Sequence, residues 1–99
     1  MNLTTNNQLT LLYDILDEQM TEQDGTIAEY QQIKRLVQSM MANQAIPNTE
    51  TFFHLLPEIY HYGFQGEFVQ CLTEHIVTNK NNIEKWLQAI NELKSANIY

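Results

Sequence analysis

Three side chains in the middle of this 99-residue chain have types and spacing suited to chemistry: His54, Glu58 and His61. At i, i+4 and i+7 they fall on one side of a helix. Glu58-Ile59-Tyr60-His61 is also a Glu-x-x-His step, the spacing used in di-iron bundles. Imidazole and carboxylate donors together suit zinc, iron or manganese. Such sites need two steps and further Glu residues from other helices; this chain carries one, and a symmetric dimer would have to supply the second. Phe52, Leu55, Leu56 and Ile59 meanwhile claim the apolar stripe of the same helix, so polarity alone also accounts for the trio as its wet face.

Cys71 and His75 form a second pairing at i and i+4, where an imidazole can lower a thiol pKa. Cys71 lies between Phe68 and Leu72, however, and free cysteine is among the most buried residue types. A buried, inert thiol is expected, without a third group to complete a catalytic set. Gly25, Gly63 and Gly66 read as punctuation and not as a phosphate-binding loop. Ser39 and Ser95, the two serines, lie in helical segments without the strained turn of a hydrolase nucleophile. No catalytic residue and no cofactor are assigned, and the expectation is a non-enzyme.

The elements that must position these residues read as helices throughout. Thr5 or Asn6 opens the first by capping its free amides. Leu9, Leu12, Ile15, Leu16 and Met20 then recur at helical spacing. Its other face carries Asp14, Asp17, Glu18 and Glu22, a solvated face or a docking surface for a basic partner. Gln23-Asp24-Gly25 ends it, Gly being favoured just past a helix C-terminus. Thr26-Ile27-Ala28-Glu29 has capping-box spacing, and Ile27, Tyr30, Ile33, Leu36, Val37, Met40 and Met41 continue a second helix. Lys34 and Arg35 on it are placed to face the acids of the first.

Pro47 closes the next turn, and Asn48 or Thr49 can cap a third helix. That helix enters Phe52–Phe68, which holds six of the ten aromatic residues and so belongs at the centre of the core. Pro57 lies in its path. Either the helix kinks there, or it stops near Leu55 and Pro57 opens a new one; Gly63 and Gly66 end it. From Glu67 to Ala96, Phe68, Leu72, Ile76, Ile83, Leu87 and Ile90 keep one register. Asn79-Lys80-Asn81-Asn82 interrupts the composition, each Asn costing up to ~0.7 kcal/mol against Ala in a helix. The preserved phase favours one continuous helix, with a split near Asn79–Asn82 as the alternative. At ~1.5 Å per residue it would span about 45 Å, against roughly 27 Å for its neighbours, and that mismatch is the argument for an oligomer. Asn97-Ile98-Tyr99 reads as a loose tail.

The fold expected is all-α: a single-domain four-helix bundle with helices at about 5–23, 26–43, 49–64 and 67–96. Its net charge of −7 repels phosphate backbones and anionic membrane surfaces. No run approaches the ~18 apolar residues of a membrane span. The lone cysteine, Cys71, excludes an internal disulfide and fits a reducing, cytoplasmic setting. The leading functional expectation is a protein-protein interaction module, with another protein or its own copy as partner. The alternative is a metal- or small-ligand-binding bundle using His54, Glu58 and His61.

Three stretches, NQLTLLYDIL, GTIAEYQQIKRLVQSMMAN and LLPEIYHYG, resemble the YtzH-like proteins, small uncharacterised proteins of bacillus-type bacteria. The likeness covers most of residues 7–90 and consists of packing and capping patterns. It names no chemistry and assigns no functional residue. Proteins of that family often have cysteines just before the glycine of the first loop. Gln23-Asp24 stands there in this chain, which argues against thiol chemistry at that loop.

Overall fold

Thr4 starts the first helix, its hydroxyl accepting from the Asn7 amide at 3.1 Å. The cap thus lies one residue ahead of Thr5 and two ahead of Asn6, the two expected. Helix α1 runs Thr5–Glu22, α2 Ile27–Ala42, α3 Thr51–Gly66, α4 Leu72–Thr78 and α5 Lys80–Ser95. The structure, a computed structural model, describes residues 4–44, 46–47 and 49–95. Ala96, the 97–99 tail and the proposed cap Asn48 fall outside the described residues. These are all-α, but they form five helices, not four. No described helix is long and apolar enough to cross a membrane.

The turn between α1 and α2 shows how two local signals divide the work. Gln23, not Gly25, takes the left-handed conformation after α1, at φ 54°. Thr26 and Glu29 close the capping box in both directions: Thr26 N donates to Glu29 Oε1 at 3.0 Å and Glu29 N to Thr26 Oγ1 at 3.2 Å. Of the adjacent methionines, Met40 fills the core while Met41 is exposed. Lys34 does not face the acids of α1; it pairs with Glu67 Oε1 at 2.6 Å, just past α3.

Helix α3 continues unbroken through Pro57. The ring sits on the exposed face, where the hydrogen bond it removes is replaced most easily by water. Gly63 and Gly66 do not both punctuate: Gly63 is interior and Gly66 is the last helical residue. Both are buried against α2. A Cβ at Gly66 would overlap the Tyr30 ring, and one at Gly63 would crowd Ile33 Cγ2 at 3.2 Å. The pair lets α2 and α3 make the most extensive helix contact in the molecule.

The long last helix expected at 67–96 starts late and is broken once. Glu67–Cys71 is non-helical, so helix resumes at Leu72 and not at 67. Asn79, at φ −97° and ψ 9°, then separates α4 from α5. Its side-chain amide donates to His75 O at 2.9 Å, and its own carbonyl accepts from Ile83 N at 2.9 Å. One asparagine therefore closes one helix and opens the next, the competition with the backbone that makes Asn a poor interior residue. Broken in this way, the segment packs along its neighbours: α4 on α1 and α5, and α5 on α1 and α3. The radius of gyration, 12.8 Å, matches the about 13 Å of a compact domain of this length. No described helix outruns its neighbours, so the length argument for an oligomer falls away.

Candidate functional site

His54, Glu58 and His61 all lie on the exposed side of α3. Glu58 is already occupied: its Oε1 accepts from Lys85 Nζ at 3.0 Å and Trp86 Nε1 at 3.3 Å. The Lys85 hydrogen bond holds its carboxyl below the usual range, against a smaller opposing effect of burial. His54 meets the ring of Phe53 edge-on at 5.5 Å. Among the described residues no three His, Cys, Asp or Glu side chains gather in a way that could hold a metal ion. The carboxylate of the trio serves to tie α3 to α5.

Cys71 and His75 part company as well. Cys71 is exposed at the start of α4, contrary to the buried thiol expected. His75 is buried. Its ring stacks on Tyr62 with centroids 4.7 Å apart and planes 8° from parallel. Nε2 lies 3.3 Å from the Tyr62 carbonyl, which can only accept, so Nε2 carries a proton and donates it there. Burial pushes the His75 pKa below its ordinary value, with the carbonyl bond a weaker counterweight.

Around this stack is a buried polar chain that the sequence reading missed. Tyr62 Oη donates to Gln19 Oε1 at 2.8 Å, and Tyr30 Oη lies 3.3 Å from Tyr62 Oη. Since Tyr62 has spent its one proton on Gln19, Tyr30 is the donor to it. Gln19 Nε2 in turn reaches Glu29 Oε1 at 3.4 Å, joining the chain to the capping box. Burial raises the pKa of both tyrosines, which keeps them protonated as donors. Trp86 closes the aromatic box 5.4 Å from Tyr62. A signal was present: Gln19 stands at i+3 and i+4 from Leu16 and Ile15, on the apolar side of α1, where an unpaired amide would be costly.

The outer wall of this box is a surface groove. Phe64 and Phe68 are 46% and 70% exposed, their rings 5.2 Å apart. The placement of Phe68 differs from the core position its register implied. The chain leaves α3 there by tight turns, Phe68 N and Val69 N both donating to Gln65 O, and these swing the ring outward. Phe64 is held from behind: Lys34 Nζ lies 5.5 Å from its centroid while pairing with Glu67. The pair forms the rim of a groove of about 660 Å³, with His75, Val69, Thr78 and Asn79 lining it. A second hollow of about 450 Å³, bordered by Cys71 and Glu74, adjoins it through Val69, His75 and Thr78.

A family model described as YtzH-like protein matches residues 3–90. The chain belongs to the YtzH-like family. A relative from Bacillus subtilis (strain 168), named "Uncharacterized protein YtzH", is 32% identical over 88 residues, covering 89% of this chain and 94% of that one. No solved structure matches. The YtzH-like region contains the groove, the tyrosine–glutamine chain and the exposed His54, Glu58 and His61 together, and ends within α5.

Proposed function

We propose that this YtzH-like protein is a non-enzymatic interaction module that binds another protein through the Phe64–Phe68 groove, in the cytoplasm. The observation that carries the reading is the outward placement of two touching phenyl rings. The same fold buries Tyr30, Tyr62, Phe52 and Trp86 to within 2% exposure. Single exposed apolar residues need no explanation, but a contiguous aromatic pair beside a groove has the composition of an interaction surface. The backing by Lys34 and Glu67 holds Phe64 in place before a partner arrives, which lowers the ordering cost of binding. The exposed, unpaired thiol of Cys71 fits a reducing compartment.

The alternative, a metal or small ligand on His54, Glu58 and His61, draws no support from an arrangement whose carboxylate is engaged by Lys85 and Trp86. The test is a photo-crosslinking phenylalanine analogue placed at position 68 in the native host, with position 92 on α5 as control. A discrete protein adduct from position 68 alone is expected. Equal labelling from both positions, or none from 68, would remove the groove as a docking surface.

A further inference from the structure

We infer that the groove takes the apolar face of an amphipathic helix whose flanks carry Lys or Arg. This rests on the interaction-module reading and adds the chemistry of the partner. Phe64, Phe68 and Val69 supply apolar contact area. Thr78 and Asn79 line the same groove, and the adjoining hollow extends it past His75 toward Glu74. Such a strip suits a helix anchored by residues at i, i+3 or i+4 and i+7.

Charge decides between partners. Glu74 is the single charged side chain on the walls of the two hollows, and no Lys or Arg lines either. Among the described residues Glu74 is exposed and forms no ion pair. Lys34, over the Phe64 ring, is neutralised by Glu67, and Lys80, which follows Asn79 in the chain, lines neither hollow. Lys85 is likewise held by Glu58. Twelve acids against five bases leave a negative field around the whole chain. That field draws a basic segment in and repels an acidic helix, a nucleic acid, an anionic membrane or a second copy.

The probe is a Leu/Lys amphipathic helical peptide titrated into the isotope-labelled full chain by NMR, with its Leu/Glu counterpart as control. Shift changes should concentrate on Phe64, Phe68, Val69, His75 and Thr78. Phe68→Ala should weaken binding about tenfold or more, as loss of an aromatic anchor does. Glu74→Gln should weaken it roughly two- to fivefold at low salt and leave it unchanged at high salt, as for a rim ion pair. Phe68 is an exposed side chain, and the variant's spectrum reports directly whether it folds. Shifts confined to the acidic face of α1, equal binding of the Leu/Glu peptide, or no binding of the Leu/Lys peptide would each overturn the inference. If position 68 still crosslinks a protein in those cases, the module reading stands and the partner is not a basic helix; if it does not, both fall.

Discussion

Tyr62 meets more of the molecule's specific interactions than any other side chain described above. Its hydroxyl serves Gln19 and Tyr30, its ring stacks on His75, and its carbonyl receives His75 Nε2. Tyr62→Phe keeps the ring and removes only the oxygen, so Gln19 Oε1 loses its donor and Tyr30 its acceptor in a buried site. Leaving such groups unsatisfied costs about 1–3 kcal/mol, which urea unfolding should read as a lower midpoint with an unchanged slope. Gly66 offers a test in which two effects oppose. Replacing a helical Gly by Ala ordinarily gains about 0.5–1 kcal/mol, whereas a Cβ here collides with Tyr30. Overpacking of this kind costs about 1–3 kcal/mol, so Gly66→Ala should destabilise. A more stable variant would mean that the Tyr30 ring moves aside freely.

Helix α4 is the element most dependent on one side chain. It is seven residues long, buries His75 and Ile76, and carries no side-chain cap at Cys71. Burial holds the folded pKa of His75 below the ordinary 6.5. The unfolded chain therefore takes up this proton first as pH falls. The contribution of His75 is complete above about pH 6.5 and is lost as pH drops from there through the lowered folded value. Tyr30 and Tyr62 meet the ring from α2 and α3, and Glu74 is its acidic neighbour on α4; the two phenols stay protonated across this range. Protection factors of the α4 amides, corrected for the intrinsic pH dependence of exchange, should fall as pH drops below about 6.5, ahead of those in α2 and α3. His75→Gln should abolish the pH dependence. A uniform loss of protection in all helices would assign the effect to global charge.

The elements also show what can be read from a linear chain. The capping box at Thr26–Glu29 was legible because both partners are three residues apart and no tertiary contact is needed to form it. Thr26→Ala should therefore cost about 1 kcal/mol, with a further loss through Glu29, which also holds Gln19. The apolar stripes of α1, α2 and α3 were legible for the same reason. The split at Asn79 ranks second from sequence alone, because register counts phase and is blind to a side chain bonding its own backbone. The His54–Glu58–His61 spacing was visible, but not the Lys85 and Trp86 that occupy Glu58 from 27 and 28 residues away. The Tyr62–Gln19 bond spans 43 residues and leaves no local trace beyond a glutamine on an apolar stripe.

For the whole molecule, the net charge and the groove act in opposite senses on self-association. Two copies each carrying −7 repel at low ionic strength, and docking the Phe64–Phe68 rims of both would bring two Glu74 carboxylates near each other. Salt screens that repulsion, with a Debye length falling from ~30 Å at 0.01 M to ~10 Å at 0.1 M, while apolar contact is not weakened. Self-association through this face must therefore strengthen with salt, the reverse of binding to a basic helix. Sedimentation velocity at low salt should give a monomer, for the wild type and for Phe68→Ala alike. A wild-type dimer under those conditions, dispersed by Phe68→Ala, would show the apolar pair overcoming the charge and would make a second copy the groove's occupant.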